Sequence, residues 1–122
     1  MYRLNEQQSD LISKVHRVAD EHIAPHAGEV DAQGRFPREA IDALGAEGFL
    51  GLNIPTEFGG MGQGLRVTCA ALDEIAQRCA STAMVYLMHL CGCSCYVAAP
   101  GAAEGAMREA AAGKHLSTLA WS

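Results

Sequence analysis

A long run without formal charge places the strongest limit on what this chain can fold into. Residues 83–99 read AMVYLMHLCGCSCYVAA and contain no Asp, Glu, Lys or Arg. A helix that crosses a bilayer needs about 20 predominantly apolar residues, whereas this run is shorter, includes His89 and Ser94, and lacks aromatic or basic flanks. We therefore predict a helix over 82–98 that is apolar nearly all round and lies at the centre of a helical body, with no membrane partner.

The first part of the chain carries a second helical signal. Apolar side chains within residues 5–24 recur on one face with the period of an α-helix. Asn5 can cap the start of this helix, and Gln8, three residues further on, completes a capping box. Pro25 is expected to end the helix or to kink its last turn, and residues 26–36 are expected to form a polar connector.

The rest of the chain alternates short helices with a glycine-rich loop. Pro37 suits the first position of a short second helix. Residues 49–64, FLGLNIPTEFGGMGQG, contain too much glycine for a regular helix, so they predict a loop that packs its apolar side chains against the body. Helical patterning resumes near Leu65, and an alanine-rich helix over 102–112 follows the central one. Residues 115–122 have the composition of a strand, so the predicted fold class is all-α, with five helices followed by a strand.

Charge and cysteine content exclude several classes of partner. The chain of 122 residues has a net charge of −5 and no arginine-rich run, so a nucleic-acid partner is not expected. The first residues, MYRLNEQQSD, lack the charged and apolar regions of a secretory signal. Together with an odd number of cysteines, five, this pattern predicts a cytoplasmic protein with free thiols.

The histidines and cysteines do not predict a metal site. Cys91, Cys93 and Cys95 alternate, and side chains two residues apart on a helix point away from each other. Only the first and third of them share a face. His22 and His26 are four residues apart, but Pro25 interrupts the helix between them and no third ligand is near in the sequence.

The final strand has no partner in a bundle of helices. A lone strand presents unpaired backbone donors and acceptors, and a helical bundle gains nothing by appending one. We therefore expect this chain to be the front part of a longer polypeptide. In that arrangement residues 1–114 form a helical domain, and residues 115–122 begin a β domain.

The order of motifs along the chain resembles the N-terminal helical domain of the acyl-CoA dehydrogenase family. The segment GRFPREAIDALGAEGFLGLNIPTEFGGMGQG is followed by a helix with LDEIAQRCASTA, and LSTLAWS at the end resembles the strand that opens that family's middle β domain. The resemblance covers essentially the whole chain. Its features are Phe36-Pro37, Gly48, Ile54-Pro55, Phe58-Gly59-Gly60, Gly62, Glu74, Ser81 and Met88-His89.

The resemblance implies a flavoenzyme. Members of the family bind FAD between a middle β domain and a C-terminal helical domain, and a carboxylate base removes the α proton of an acyl-CoA while the β hydride passes to the flavin. That base normally lies in the C-terminal domain, so no catalytic residue is assigned in this chain. The resemblance also implies a homo-oligomer, with an electron-transfer flavoprotein or dioxygen as the electron acceptor.

Three residues at the end of the chain are candidates for flavin contact. In the family, backbone and hydroxyl groups at the end of this strand hydrogen-bond the polar edge of the flavin ring. The resemblance therefore implies cofactor contacts from Leu119, Trp121 and Ser122, and the last of these retains a hydroxyl at a position that commonly holds Ser or Thr. The alternative is an ordinary strand end.

Four residues of the central helix are candidates for substrate contact. In the family this helix lines the cavity for the acyl chain, which implies that Val85, Tyr86, His89 and Leu90 line it here. The alternative is core packing, because apolar residues at helical spacing usually belong to a core. The tyrosine and histidine are the informative pair, because a polar tip in a buried helix needs a partner.

Two further alternatives depend on the same helices. Glu74 is a carboxylate four residues before Arg78, and with no second catalytic group in view the prediction is a structural ion pair rather than a general base. For the whole chain, the alternative to part of a flavoenzyme is a non-catalytic helical binding or assembly module. Flavin absorbance in the full-length product would distinguish them.

Overall fold

The structure is a computed structural model that describes residues 2–120. Within that range the α-helices are α1 (Glu6–Val18), α2 (Ala24–Gln33), α3 (Arg38–Ala46), α4 (Leu65–Ala76), α5 (Ala80–Ala98) and α6 (Pro100–Ala111). A π-helical turn, Ala19–Ile23, joins α1 to α2 without a break, so the described residues form five helical rods and contain no strand. Two short 3₁₀ turns, Phe49–Gly51 and Thr56–Phe58, lie between α3 and α4. The predicted all-α fold is confirmed.

The first helix does not end at Pro25, so the predicted polar connector over 26–36 is wrong for most of its length. Pro25 lies in the first turn of α2, where its missing N–H group is not needed. In the π-helical turn the N–H of Ala24 bonds the carbonyl of Ala19, five residues back, and this wider turn gives the proline ring room. The rod ends instead at Gly34, whose φ is +59°.

The start of α1 and the end of α6 follow the sequence signals. The side chain of Asn5 accepts a 2.8 Å hydrogen bond from the N–H of Gln8, and the Gln8 side chain accepts from the N–H of Asn5 at 3.1 Å. At the other end Gly113 has a φ of +76°. The N–H of Lys114 bonds the carbonyl of Glu109 at 2.8 Å, which satisfies one of the last carbonyls of α6.

The core lies between α5 and the helices around it. Val15, Leu44, Phe49, Ile75 and Tyr86 are completely buried, and they come from α1, α3, the first 3₁₀ turn, α4 and α5. The helix α5 contacts α3, α4, α6 and the first 3₁₀ turn, as expected for a central helix. By length and composition alone it is also the one described helix that could cross a membrane, with 39% of its most apolar window buried inside the protein.

The glycine-rich segment forms a compact loop, as predicted. Its two arms are joined by backbone hydrogen bonds from Met61 N to Gly51 O (2.9 Å) and from Gln63 N to Leu52 O (2.9 Å). A methyl group on Gly60 would overlap the carbonyl of Ile54, so only glycine allows the arms to approach this closely. At the start of the loop, the carbonyls of Phe49 and Leu50 face side chains of α5.

The helix α6 and the chain that follows it pack closely against this loop. A methyl group on Gly51 would lie 2.7 Å from the Cα of Ala111, so α6 rests directly on the loop backbone. Residues 114–120 carry no assigned strand, and their burial alternates from one residue to the next. That alternation is typical of an extended chain lying along a surface. Whether residues 115–122 begin a β domain stays a prediction.

Candidate functional site

The polar tips of the central helix are bound by the glycine-rich loop. The hydroxyl of Tyr86 donates a 2.6 Å hydrogen bond to the carbonyl of Phe49, and Nε2 of His89 lies 2.6 Å from the carbonyl of Leu50. Both side chains are completely buried. The partners that these buried groups need are therefore carbonyls of the first 3₁₀ turn, and both tips hold the loop against α5.

The contacts of His89 define its protonation. Leu50 supplies only a carbonyl, so Nε2 must carry the proton, and the N–H of Ser117 then donates to the bare Nδ1 at 2.9 Å. Burial lowers the pKa of His89 from its ordinary value, and the nearby His115 lowers it further, against the opposing effect of the bond to Leu50. The imidazole is thus neutral and joins three parts of the chain: the loop, α5 and the segment after α6.

An apolar cleft of about 240 Å³ lies between the glycine-rich loop, α4 and α5, and we call it the loop cleft. Its lining consists of Asn53, Gln63, Gly64, Leu65, Thr68, Leu87, Leu90, Cys91, Ser94 and Val97. The side-chain amide of Asn53 bridges the loop to α5, because its Nδ2 donates to the carbonyl of Leu90 at 2.9 Å and to the hydroxyl of Ser94 at 3.0 Å. Mostly apolar walls with a few fixed polar groups are typical of small-molecule sites.

The four candidate substrate residues do not line one cavity. Leu90 lines the loop cleft, whereas Val85 borders a separate cleft beside Phe36 and Arg35. Tyr86 and His89 lie between them in the core with their polar atoms bound to backbone carbonyls. Sequence reasoning missed most of the loop cleft lining, including Asn53 and Leu87. Substrate contact by the four predicted residues stays a prediction.

The candidate flavin contacts lie at the edge of the described chain. Leu119 is half-buried, on the same side of the extended segment as Ser117. Trp121 and Ser122 lie outside the described residues. Flavin contact by all three stays a prediction.

The cysteines of α5 differ in their burial. Among residues 2–120 no three metal-ligating side chains come together. Cys93 is buried beside His89, and burial raises the pKa of its thiol to about 12, so it remains a thiol at neutral pH. Cys91 is half-buried and Cys95 is exposed.

Glu74 belongs to a network of charges that links α1 to α4. Its carboxylate lies 3.2 Å from Nη1 of Arg78, which is the predicted ion pair, and 3.0 Å from Nδ1 of His16. The guanidinium also contacts Asp20 at 2.9 Å. Sequence reasoning missed Asp20 because it is far from Arg78 in the chain. None of the residues in this network belongs to the loop cleft lining.

The outer faces of α4 and α5 carry exposed apolar side chains. Leu65 is 81% exposed, Met84 58% and Leu87 36%. Two of these three, Leu65 and Leu87, belong to the lining of the loop cleft. These two leucines therefore form an exposed apolar rim of the cleft.

Comparisons with known proteins identify what this arrangement is similar to. Residues 5–109 match the family profile described as acyl-CoA dehydrogenase, N-terminal domain. The chain is 39% identical over 85 residues to a probable acyl-CoA dehydrogenase of Mycobacterium tuberculosis, which covers 70% of this chain and 22% of that protein. It is 37% identical over 81 residues to a 3-sulfinopropanoyl-CoA desulfinase of Cupriavidus necator, which covers 66% of this chain and 20% of that protein. The chain therefore spans about a fifth of the length of the curated relatives it matches.

A solved structure has the same fold. A chain in a structure of the electron transferring flavoprotein of Acidaminococcus fermentans superimposes with a TM-score of 0.83 over 95% of this chain and 31% of that chain, at 24% sequence identity. At that identity the likeness establishes the arrangement of the helices alone. The family profile and the sequence relatives confirm the resemblance found in the sequence.

Proposed function

Because the chain belongs to the acyl-CoA dehydrogenase family, we propose that it supplies the N-terminal helical wall of a site in which an FAD-dependent oxidoreductase removes hydrogen from an acyl-CoA thioester. The observation that carries this proposal is the loop cleft with its exposed rim of Leu65 and Leu87. Its volume of about 240 Å³ is below the range of about 300–1,000 Å³ that is usual for ligand pockets. The cleft thus suits the role of one wall, completed by other parts of a protein.

The acyl chain is the part of the substrate that suits this wall. The surface of the loop cleft is mainly apolar, and three leucines and a valine contribute to it, so it would stabilise a hydrocarbon chain by removing it from water. The amide of Asn53 is already held by Leu90 and Ser94, so it would keep its orientation when a ligand binds. The relatives include a desulfinase as well as dehydrogenases. We therefore base the proposed dehydrogenation on the family's main activity and not on the lining of the loop cleft.

The described chain fits a limited role in binding FAD. Ser117, four residues before Trp121, is held to α5 by hydrogen bonds to His89 and Tyr96. We propose that Leu119, Trp121 and Ser122 hydrogen-bond or pack against the flavin from this segment. When bound, FAD supplies the oxidising group that accepts a hydride. No residue here is proposed as the base, because the family's base does not match a position in this chain.

The remaining assignments concern the whole protein. We propose an electron-transfer flavoprotein as the electron acceptor, with dioxygen as the alternative, and a homo-oligomeric assembly in the cytoplasm. The acceptor and the assembly follow from the family, and the cytoplasmic location follows from the sequence signals described above; none of them rests on a contact in this structure. The competing function is a non-catalytic helical module, which would use the same exposed apolar rim to bind another protein.

The experiment is to purify the complete gene product and record its visible absorbance, then to add acyl-CoA esters of different chain length under anaerobic conditions. We expect bound flavin whose absorbance bleaches on reduction by at least one ester. A colourless product that does not take up added FAD would contradict the proposal and favour the non-catalytic module. The isolated 122-residue chain, used as a control, should neither bleach flavin nor turn over any ester.

A further inference from the structure

We propose that His89, Gly92 and Tyr96 form a seat on α5 that positions the chain from Ser117 onward. This inference rests on the proposed function, because the positioned backbone is the one expected to reach the flavin. None of the three seat residues lines the loop cleft, and in this proposal none of them touches the flavin. They act through the segment that they hold, so they are positioning residues.

Two side chains of the seat hold Ser117 by its backbone N–H and by its hydroxyl. The backbone N–H of Ser117 donates to Nδ1 of His89 at 2.9 Å, and the Ser117 hydroxyl donates to the hydroxyl of Tyr96 at 3.0 Å. The tyrosine hydroxyl in turn lies 3.0 Å from Nε2 of His115, and the two rings are 5.8 Å apart. Backbone and side chain of Ser117 are thereby oriented together.

Gly92 makes room for the held segment. A methyl group at this position would lie 2.9 Å from Cβ of Ser117 and 3.1 Å from the carbonyl oxygen of Thr118, and it would overlap the Ser117 hydroxyl. Gly92 is in the interior of α5, where glycine is among the least favourable residues for a helix. Since its backbone is helical, the need for glycine here is one of space, created by the close approach of the segment.

The seat also transmits the position of the glycine-rich loop to the segment. The same imidazole that accepts from Ser117 donates to the carbonyl of Leu50 at 2.6 Å. Loop and segment therefore share one rigid side chain, which is completely buried. Because an extended chain alternates its faces, fixing Ser117 also fixes the side on which Leu119 lies. The wall of the loop cleft and the expected flavin contacts thus have a common anchor.

The test replaces Gly92 with alanine, which favours the helix while it displaces Ser117. The matched control is Gly105→Ala on α6, where a methyl group meets no atom within 4 Å. Amide hydrogen exchange in the complete gene product is the first measurement. We expect Gly92→Ala to speed exchange of the Ser117 amide by at least about tenfold and to leave exchange of the α4 amides unchanged. In the control Gly105→Ala the Ser117 amide should exchange as in the parent. The double variant Gly92→Ala/Ser117→Gly lacks the overlapping serine side chain. It should therefore recover part of the FAD affinity that Gly92→Ala alone loses.

The second measurement is FAD affinity of the complete gene product. We expect Gly92→Ala to weaken FAD binding by at least about tenfold, while Gly105→Ala binds like the parent. Unchanged exchange at Ser117 in Gly92→Ala would overturn the seat itself. Faster exchange with unchanged FAD affinity would overturn its positioning role. A parent protein that binds no FAD would instead contradict the proposed function, and the exchange result would then report on the seat alone.

Discussion

The hydroxyl of Tyr86 donates a 2.6 Å hydrogen bond to the carbonyl of Phe49, and both residues are completely buried. This bond joins the middle of α5 to the first turn of the glycine-rich loop. Its neighbour from His89 to Leu50 does the same one turn further along. The loop that borders the cleft is therefore held by two side chains of a single helix face, and changes on that face should alter the loop.

The first prediction is that Tyr86→Phe destabilises the protein by about 1 kcal/mol. The change removes the donor and leaves the ring in place, so packing is retained. The carbonyl of Phe49 keeps its bond from Leu52 N, at 3.2 Å, which limits the loss. Thermal or denaturant unfolding measures the effect, with Tyr2→Phe at a half-buried position as the control. An unchanged free energy of unfolding would show that the bond adds no net stability.

The second prediction concerns acidification. The pKa of His89 is lowered chiefly by burial, so on acidification the unfolded state binds a proton before the folded state does. The stability contributed by the neutral ring is complete above the unfolded pKa of about 6.5, and it is lost as pH falls below that value towards the folded pKa. Denaturant unfolding between about pH 8 and about pH 5 should show this decline. NMR titration of the ring should show it neutral below its ordinary pKa, and protonation at or above that value would contradict the assigned neutral form.

The third prediction is that Gly51→Ala destabilises the protein by about 1–3 kcal/mol. The added methyl group would lie 2.7 Å from the Cα of Ala111 and force α6 away from the loop. Gly28→Ala on α2 is the matched control, because a methyl group there meets nothing within 4 Å. That control should be neutral or stabilising by up to about 1 kcal/mol, since alanine favours a helix. Equal effects of the two changes on unfolding would refute the close contact.

The fourth prediction tests the loop cleft as the wall for an acyl chain. Leu87→Trp places a large ring at the cleft, whereas Met84→Trp places the same ring on α5 outside the loop cleft lining. In the complete gene product we expect the first change to raise KM for long acyl-CoA esters by about tenfold with a smaller effect on short ones. The second change should leave both values near those of the parent. If both variants have the KM of the parent for every ester, the loop cleft is not part of the substrate site.

Much of the local structure followed from residues close together in the sequence. The capping box of Asn5 and Gln8, the apolar helix α5 and the stop at Gly113 depend on neighbours within one or two turns. The sequence also indicated that the segment 49–64 would be a packed loop, because its glycines exclude a regular helix. The order of these motifs was sufficient to indicate the family.

The continuation of the first helix through Pro25 could not be predicted from the proline alone. Proline ends a helix when its ring meets the carbonyl four residues back, and here a π-helical turn removes that clash. Packing of Ile23 and Val30 in the core stabilises the longer rod. A local rule was overridden by burial of apolar surface further along the chain.

By itself the sequence determined the helices α3 to α6, the loop and the need of Tyr86 and His89 for buried partners. Only the tertiary structure decided that these partners are carbonyls of the loop, and that the second imidazole nitrogen receives the N–H of Ser117. Helix and turn formation depend on contacts between near neighbours, which can be read along the chain. Hydrogen bonds between residues far apart in the sequence depend on how the helices pack. No pattern among neighbouring residues shows which distant residues will meet.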